Sequence, residues 1–227
     1  MIASLIAWFS DPVRWSGPGG VPARVLEHLG YSALALVIAV LIAVPVGVWI
    51  GHTGKGRRVV VGLSSALRAL PTLGLLTFLA IVLQIGLRQA VIPTVIVLVV
   101  LAIPPLLAGT YAGLQAVPRE VVHAARANGH STGQLIGQVE LPLALPMVVG
   151  GLRSATLQVL ATTSVAAYLG LGGLGRYLFD ALAVQDYTTM LAGALLIAVL
   201  ALAVDGLLLL LQRLLTPTGL RASRARA

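Results

Sequence analysis

The sequence predicts an all-α integral membrane protein with about five transmembrane helices. Three observations predict it: an apolar composition, apolar runs of spanning length, and basic residues gathered between those runs. Hydrophobic residues make up 58% of the 227-residue chain and charged residues 10%, with a mean hydropathy of +0.99. Soluble domains carry roughly 25% charged residues, so this chain needs lipid as its solvent. The runs at 29–50, 59–86, 90–113, 141–169 and 187–211 each exceed the ~20 residues that cross a bilayer core.

Residues 1–28 read as an N-terminal extracytoplasmic or interfacial segment. The apolar stretch Ile2 to Phe9 lacks a basic n-region and is cut off by Asp11 and Pro12, so it does not read as a signal peptide. A short interfacial stretch with Trp8 and Trp15 near the headgroups fits it. Residues 29–211 form the transmembrane region. Its second and third runs contain Pro71 and Pro104–Pro105, whose freed carbonyls need partners from neighbouring helices, so these spans are expected to face one another. Residues 212–227 are a basic tail.

The net charge of +8 is distributed by topology. Lys55, Arg57, Arg58, Arg119, Arg126, Arg213, Arg221, Arg224 and Arg226 make nine cations on one side, against four on the other, Arg14, Arg24, Arg88 and Arg176. The positive-inside rule then places residues 118–136 and the C-terminus in the cytoplasm and the N-terminus outside. Nucleic acid is not expected as a partner, because no soluble basic face with interleaved aromatics exists. Membrane lipid is. With no cysteine, neither a disulfide framework nor a thiolate metal site is available.

The most polar internal stretch runs from Val117 to Gln138. Pro118 suits a first helical turn, Glu120 suits the positive end of the dipole, and Ala124, Ala125 and Ala127 favour helix until Gly129 interrupts. Ser131 or Thr132 can cap a second short helix through Leu135 and Ile136. On these facts alone an ordinary polar loop between spans fits equally well.

The spacing His123-Ala124-Ala125, three residues, Gly129, nine residues, Val139-Glu140-Leu141-Pro142 resembles the EAA signature of ABC importer permeases. Two positions depart from that pattern: His123 stands where the family has Glu, and Val139 where it has Ile. Ala108 to Leu114, Val139 to Ala144, Gly151-Leu152-Arg153 and Leu169 to Gly175 look like the permeases of glycine betaine, carnitine and choline importers. The resemblance implies a type I ABC importer permease fold in the cytoplasmic membrane of a prokaryote, with a cytoplasmic coupling helix within 118–136. It implies a dimer of ATP-binding-cassette ATPases, a second permease subunit, identical or homologous, and an extracytoplasmic solute-binding protein. Carried over by position, the ATPase-coupling residues are Glu120, His123, Ala124, Ala125, Gly129, Val139, Leu141 and Pro142, with Glu120 a possible source of the acidic charge that His123 lacks. The implied function is alternating-access import of small osmoprotectants.

No catalytic or metal-binding residue set is evident. Gly51 to Gly56 fails the phosphate-loop pattern twice, with Trp49 in place of glycine and Gly56 in place of Ser or Thr. It reads as a basic turn that meets anionic lipid. The chain is therefore expected to be a non-enzymatic subunit without a cofactor, ATP and Mg being bound by the partner ATPase. A secondary carrier would call for an internal repeat and discontinuous helices, and none is seen. An intramembrane enzyme would call for reactive pairs within spans, whereas His28, His52, His123 and His130 are expected in loops or at span ends.

Candidate pathway or gate residues are Arg68, Arg153, Asp205 and the glycines Gly170, Gly172 and Gly173. Asp205 is the one acid within a span, so an ion pair with Arg68 or Arg153 competes with a role lining the path. The glycine run reads as a turn needing positive φ, or as a backbone gate beneath the binding protein, flanked by Tyr168, Tyr177, Phe179 and Tyr187 as an aromatic belt. Gly109 and Gly113 favour helix packing within the subunit over dimerisation. Quaternary ammonium recognition uses aromatic faces, yet only Phe78 sits in mid-membrane, so substrate choice is expected to lie mainly in the binding protein.

Overall fold

The computed structural model describes residues 1–83 and 90–215; within them ten α-helices and no strand are found. Arg88, Arg221, Arg224 and Arg226 lie outside the described residues, as does the side chain of Arg68. The helices are α1 Ile2–Ser10, α2 Val21–Thr53, α3 Arg57–Ala69, α4 Thr72–Val82, α5 Val91–Gln115, α6 Arg119–Ala127, α7 Thr132–Gln134, α8 Leu141–Thr163, α9 Arg176–Ala183 and α10 Tyr187–Leu215. Among the described residues four segments are long and apolar enough to cross a membrane: Val21–Thr53, Val91–Gln115, Thr132–Leu169 and Tyr187–Leu214.

Three sequence expectations need correction. The run at 59–86 is not one helix: it breaks between α3 and α4 at Leu70–Pro71, because proline has no N–H to donate and forces its predecessor out of the α region. Counted as one broken span, this pair brings the total to five. The helix that carries the first apolar run starts at Val21 rather than 29, so residues 21–28 belong to α2. Its first half therefore carries His28, which is not in a loop but fully buried, with Nε2 2.9 Å from the Leu160 carbonyl. Finally, the second helix of the polar stretch is not short. Past α7 the chain widens into a π-helical turn, Leu135–Glu140, and runs straight into α8. Pro142, which has no N–H, stands two residues past the end of that widened turn.

The chain forms two compact units, Met1–Val37, Leu70–Leu101 and Thr156–Val204 in the first, Ile38–Ala69, Ala102–Ala155 and the chain from Asp205 in the second. In the first, α1 docks through Trp8, which is 6% exposed and packs with Val21, Leu174, Tyr177 and Ala192. Trp8 stacks edge-on against Tyr177 and donates from Nε1 to Thr189 Oγ1 at 3.0 Å. Trp8 thus serves as an internal anchor of α1. Tyr177 is buried beside it, its hydroxyl donating to the Gly19 carbonyl at 2.9 Å, and its burial raises its pKa. Tyr168 and Tyr187 remain exposed. Asp186 caps α10, accepting from the Thr189 hydroxyl and amide, and these bonds hold its carboxyl below the ordinary range.

The second unit is built on close helix crossings. On α5, a Cβ at Gly109 would stand 2.7 Å from the Met147 carbonyl oxygen and the Gly151 Cα of α8, and one at Gly113 3.0 Å from the Ala144 carbonyl oxygen. The pair packs within the subunit, as expected from the sequence. A second pair, Gly47 and Gly51 on α2, meets Thr110 and Leu114 of α5 in the same manner. Small residues let helix backbones approach where lipid supplies no hydrophobic drive between helices.

Candidate functional site

The stretch that carries the signature is an elbow. α6 opens after Pro118, with Glu120 in its first turn and Arg126 in its last. It ends at Gly129, whose φ of +85° is left-handed. The Gly129 amide donates to the Arg126 carbonyl at 3.0 Å and the His130 amide to the Ala125 carbonyl at 3.3 Å. This pair of bonds is a Schellman ending, which glycine adopts without steric cost. Two residues later Ser131 caps α7 reciprocally: its hydroxyl accepts from the Gln134 amide at 3.4 Å, and its own amide donates to Gln134 Oε1 at 2.9 Å. Each end of the elbow is thus closed by its own hydrogen bonds, and Leu135 below it is fully buried.

The structure brings part of the predicted coupling set together. Glu120, His123 and Ala124 are exposed on α6, Ala125 is half-buried, and Val139, Leu141 and Pro142 are half-buried where the π-helical turn enters α8. Inside the signature, Glu140 is buried and its Oε2 lies 2.7 Å from His52 Nδ1. That contact ties the last turn of α2 to the root of α8. Sequence reasoning named both residues but gave neither a role. The signal was available in principle: an acid flanked by apolar residues at a span end needs a partner.

Between α6 and the end of α2 lies an open cleft of about 550 Å³. His123, Arg119 and Arg126 line it from α6, Arg57 from the start of α3, and His52 and Glu140 line it as well. Glu120 does not line it, so it does not replace within the cleft the acid that His123 lacks.

The predicted pathway residues separate by unit. In the second, Arg153 holds Asp205 through two bonds, Nε to Oδ1 at 2.9 Å and Nη2 to Oδ2 at 2.8 Å, and Nη1 reaches Gln212 Oε1 at 3.2 Å. Asp205 is thus paired with Arg153. In the first, Gly170 and Gly173 have positive φ, +80° and +94°, while Gly172 does not. Gly172 is small for a different reason: a Cβ there would collide with the Glu27 carboxylate. Glu27 accepts from the Gly173 amide at 2.7 Å and from Arg24 at 2.9 Å, a fastening that the sequence did not announce. Phe78 on α4 is 60% exposed. Among the described residues no cluster of potential metal ligands occurs.

Residues 39–217 match the family described as the binding-protein-dependent transport system inner membrane component. The choline transport system permease protein OpuBB of Bacillus subtilis is 30% identical over 198 residues, 87% of this chain and 89% of that protein. The osmoprotectant import permease protein OsmW of Salmonella typhimurium is 33% identical over 204 residues, 89% of this chain and 95% of that one. Among solved structures, a chain of the inward-facing MetNI methionine ABC transporter aligns with a TM-score of 0.76 over 92% of this chain and 100% of its own, at 24% identity, a likeness of fold.

Proposed function

Since the chain belongs to the family of binding-protein-dependent transport system inner membrane components, we propose that it is the permease subunit of an ATP-driven importer of small osmoprotectants such as choline, glycine betaine or carnitine. The elbow at Gly129 carries the coupling part of this reading. A left-handed glycine between two capped helix ends holds α6 at a set angle to the root of α8. A partner ATPase that grips α6 then moves a continuous rod, since α7, the π-helical turn and α8 run on without a break. The glycine crossings of α5 with α2 and α8, all within the second unit, hold those stretches of helix close together.

In this reading ATP and Mg are handled by a dimer of cytoplasmic ATPases, and the solute is delivered by an extracytoplasmic binding protein. A second permease subunit completes the path. Residues 118–136 and the C-terminus lie in the cytoplasm, the N-terminus outside. The Arg153–Asp205 pair neutralises two charges inside spans, which lowers the cost of carrying them there.

The test is reconstitution with the ATPase and binding protein in proteoliposomes, reading uptake of labelled choline and glycine betaine. Uptake is expected only with ATP and all components. Ala125→Asp, which places an unpaired charge on the half-buried side of α6, is expected to lower both ATPase attachment and uptake. Uptake without the ATPase, or an Ala125→Asp variant with full attachment and full uptake, overturns the reading.

A further inference from the structure

The glycine loop 169–175, in the first unit, is fixed at both ends and held in its middle by a side chain from α2. Where the chain enters the loop, Ala166 and Ala167 are buried and the Gly170 amide donates to the Ala167 carbonyl at 3.0 Å. Where it leaves, Leu174 is fully buried and a Cβ at Gly175 would collide with the Ser164 carbonyl. The Arg176 amide also donates to the Gly173 carbonyl there, at 3.1 Å. Between these anchors the Gly173 amide donates to Glu27 Oε2, and the same oxygen accepts from Arg24 Nη1. Arg24 stands three residues before Glu27 on α2, so the two share a helix face and the guanidinium aims the carboxylate.

We propose that Glu27 is the latch of a gate: its carboxylate holds the glycine loop against α2, and passage of solute requires the loop to lift from it. Three observations favour a releasable tie over a permanent one. Gly170 and Gly173 have positive φ and bracket Leu171 and Gly172, so this short segment can change its backbone at positions that carry no side-chain penalty. The Glu27 side chain is 38% exposed, so water can take the place of the Gly173 amide when the bond opens. Arg24 keeps the carboxylate paired in the lifted state, so no charge is stranded. Gly172 fits the same account, because the space left by its missing Cβ is the space the Glu27 carboxylate occupies. The Tyr177–Gly19 bond sets the residues that follow the loop beside the start of α2, on the side that the permease reading places outside. The inference rests on that reading for the side of the membrane and for what passes the gate.

The chain has no cysteine, so Glu27→Cys combined with Gly172→Cys introduces a single thiol pair. A Cβ at Gly172 would fall on the Glu27 carboxyl group, two bonds from the Glu27 Cβ, which puts the two thiols within reach of a disulfide. The full chain carrying this pair is reconstituted with the ATPase and the binding protein. Uptake of labelled choline is read after mild oxidant and again after dithiothreitol, and the joined peptides are counted by mass spectrometry. Oxidation is expected to join the pair and lower uptake about tenfold, with recovery on reduction, while the rates of wild type and of the two single variants do not respond to the oxidant. Crosslinked protein that transports as fast as reduced protein overturns the proposal, and so do thiols that fail to join. A second arm separates a latch from a support, and it decides the matter if the reduced pair does not transport. Glu27→Ala should raise ATP hydrolysis in the absence of binding protein about threefold, because the loop then lifts unprompted. Glu27→Gln, which keeps the acceptor, should stay near wild type. Hydrolysis unchanged or lowered in Glu27→Ala marks a structural support and overturns the proposal. Failure of the permease reading shows separately, as a wild type that takes up no solute with ATP whatever the state of the thiols in the variant.

Discussion

At Gly129 the chain turns with φ +85°, and a Cβ there would meet nothing within 4 Å. At Gly109 the backbone is helical, yet a Cβ would stand 2.7 Å from backbone atoms of Met147 and Gly151. One position needs a conformation and has ample room; the other has an ordinary conformation and no room. Asparagine, which tolerates the left-handed region, can stand in at the first but at no crossing of the second kind. Gly172 is a third case, because the group its Cβ would strike is the movable carboxylate end of Glu27 and not backbone.

The largest effect is expected at the crossing. Gly109→Val forces α5 and α8 apart, backbone against backbone, at a cost of about 3 kcal/mol or more, the upper end of overpacking. Thermal unfolding in detergent should show a marked loss of folded protein, and Gly109→Ala should already show part of it. A Gly109→Val variant as stable as wild type would break the comparison.

A smaller effect is expected at the elbow. Gly129→Val costs roughly 1–2 kcal/mol locally and leaves the spans folded and inserted. Copurification of the partner ATPase should fall, and with it solute-stimulated hydrolysis. Gly129→Asn should restore most of both, since only the backbone conformation is at issue. If Asn behaves like Val, the requirement is not conformational.

The smallest effect belongs to Gly172→Ala. Glu27 can swing aside, so the cost is on the order of 1 kcal/mol, the hydrogen bond to the Gly173 amide. In a Glu27→Ala background the same substitution should cost almost nothing. Additive losses in the double variant would show that Gly172 is held by something other than that carboxylate.

Much of the elbow was legible in advance. Pro118, Gly129 and Ser131 punctuate the chain by local chemistry, and local chemistry can be read along a sequence. The same local logic misjudged the continuation. Leu135 and Ile136 look like the end of a short helix, but they lie in a π-helical turn that leads into α8. Trp8 shows what local chemistry leaves open. Its amphipathic ring suits an interface, and only the presence of Tyr177 and Thr189 beside it explains its burial.

The sequence by itself determined that this chain lives in lipid, where its main apolar runs lie and where the signature glycine falls. These follow from composition, run length and backbone preference, which each residue carries wherever it goes. Only the tertiary structure decided that Asp205 pairs with Arg153, that Glu140 takes His52 from 88 residues away, and that Glu27 fastens Gly173 from 146 residues away. A charge at a span end must find a counter-group because leaving it unpaired in an apolar setting is costly. Which group it finds depends on which helices cross, and the crossings are set by the glycines that let backbones touch.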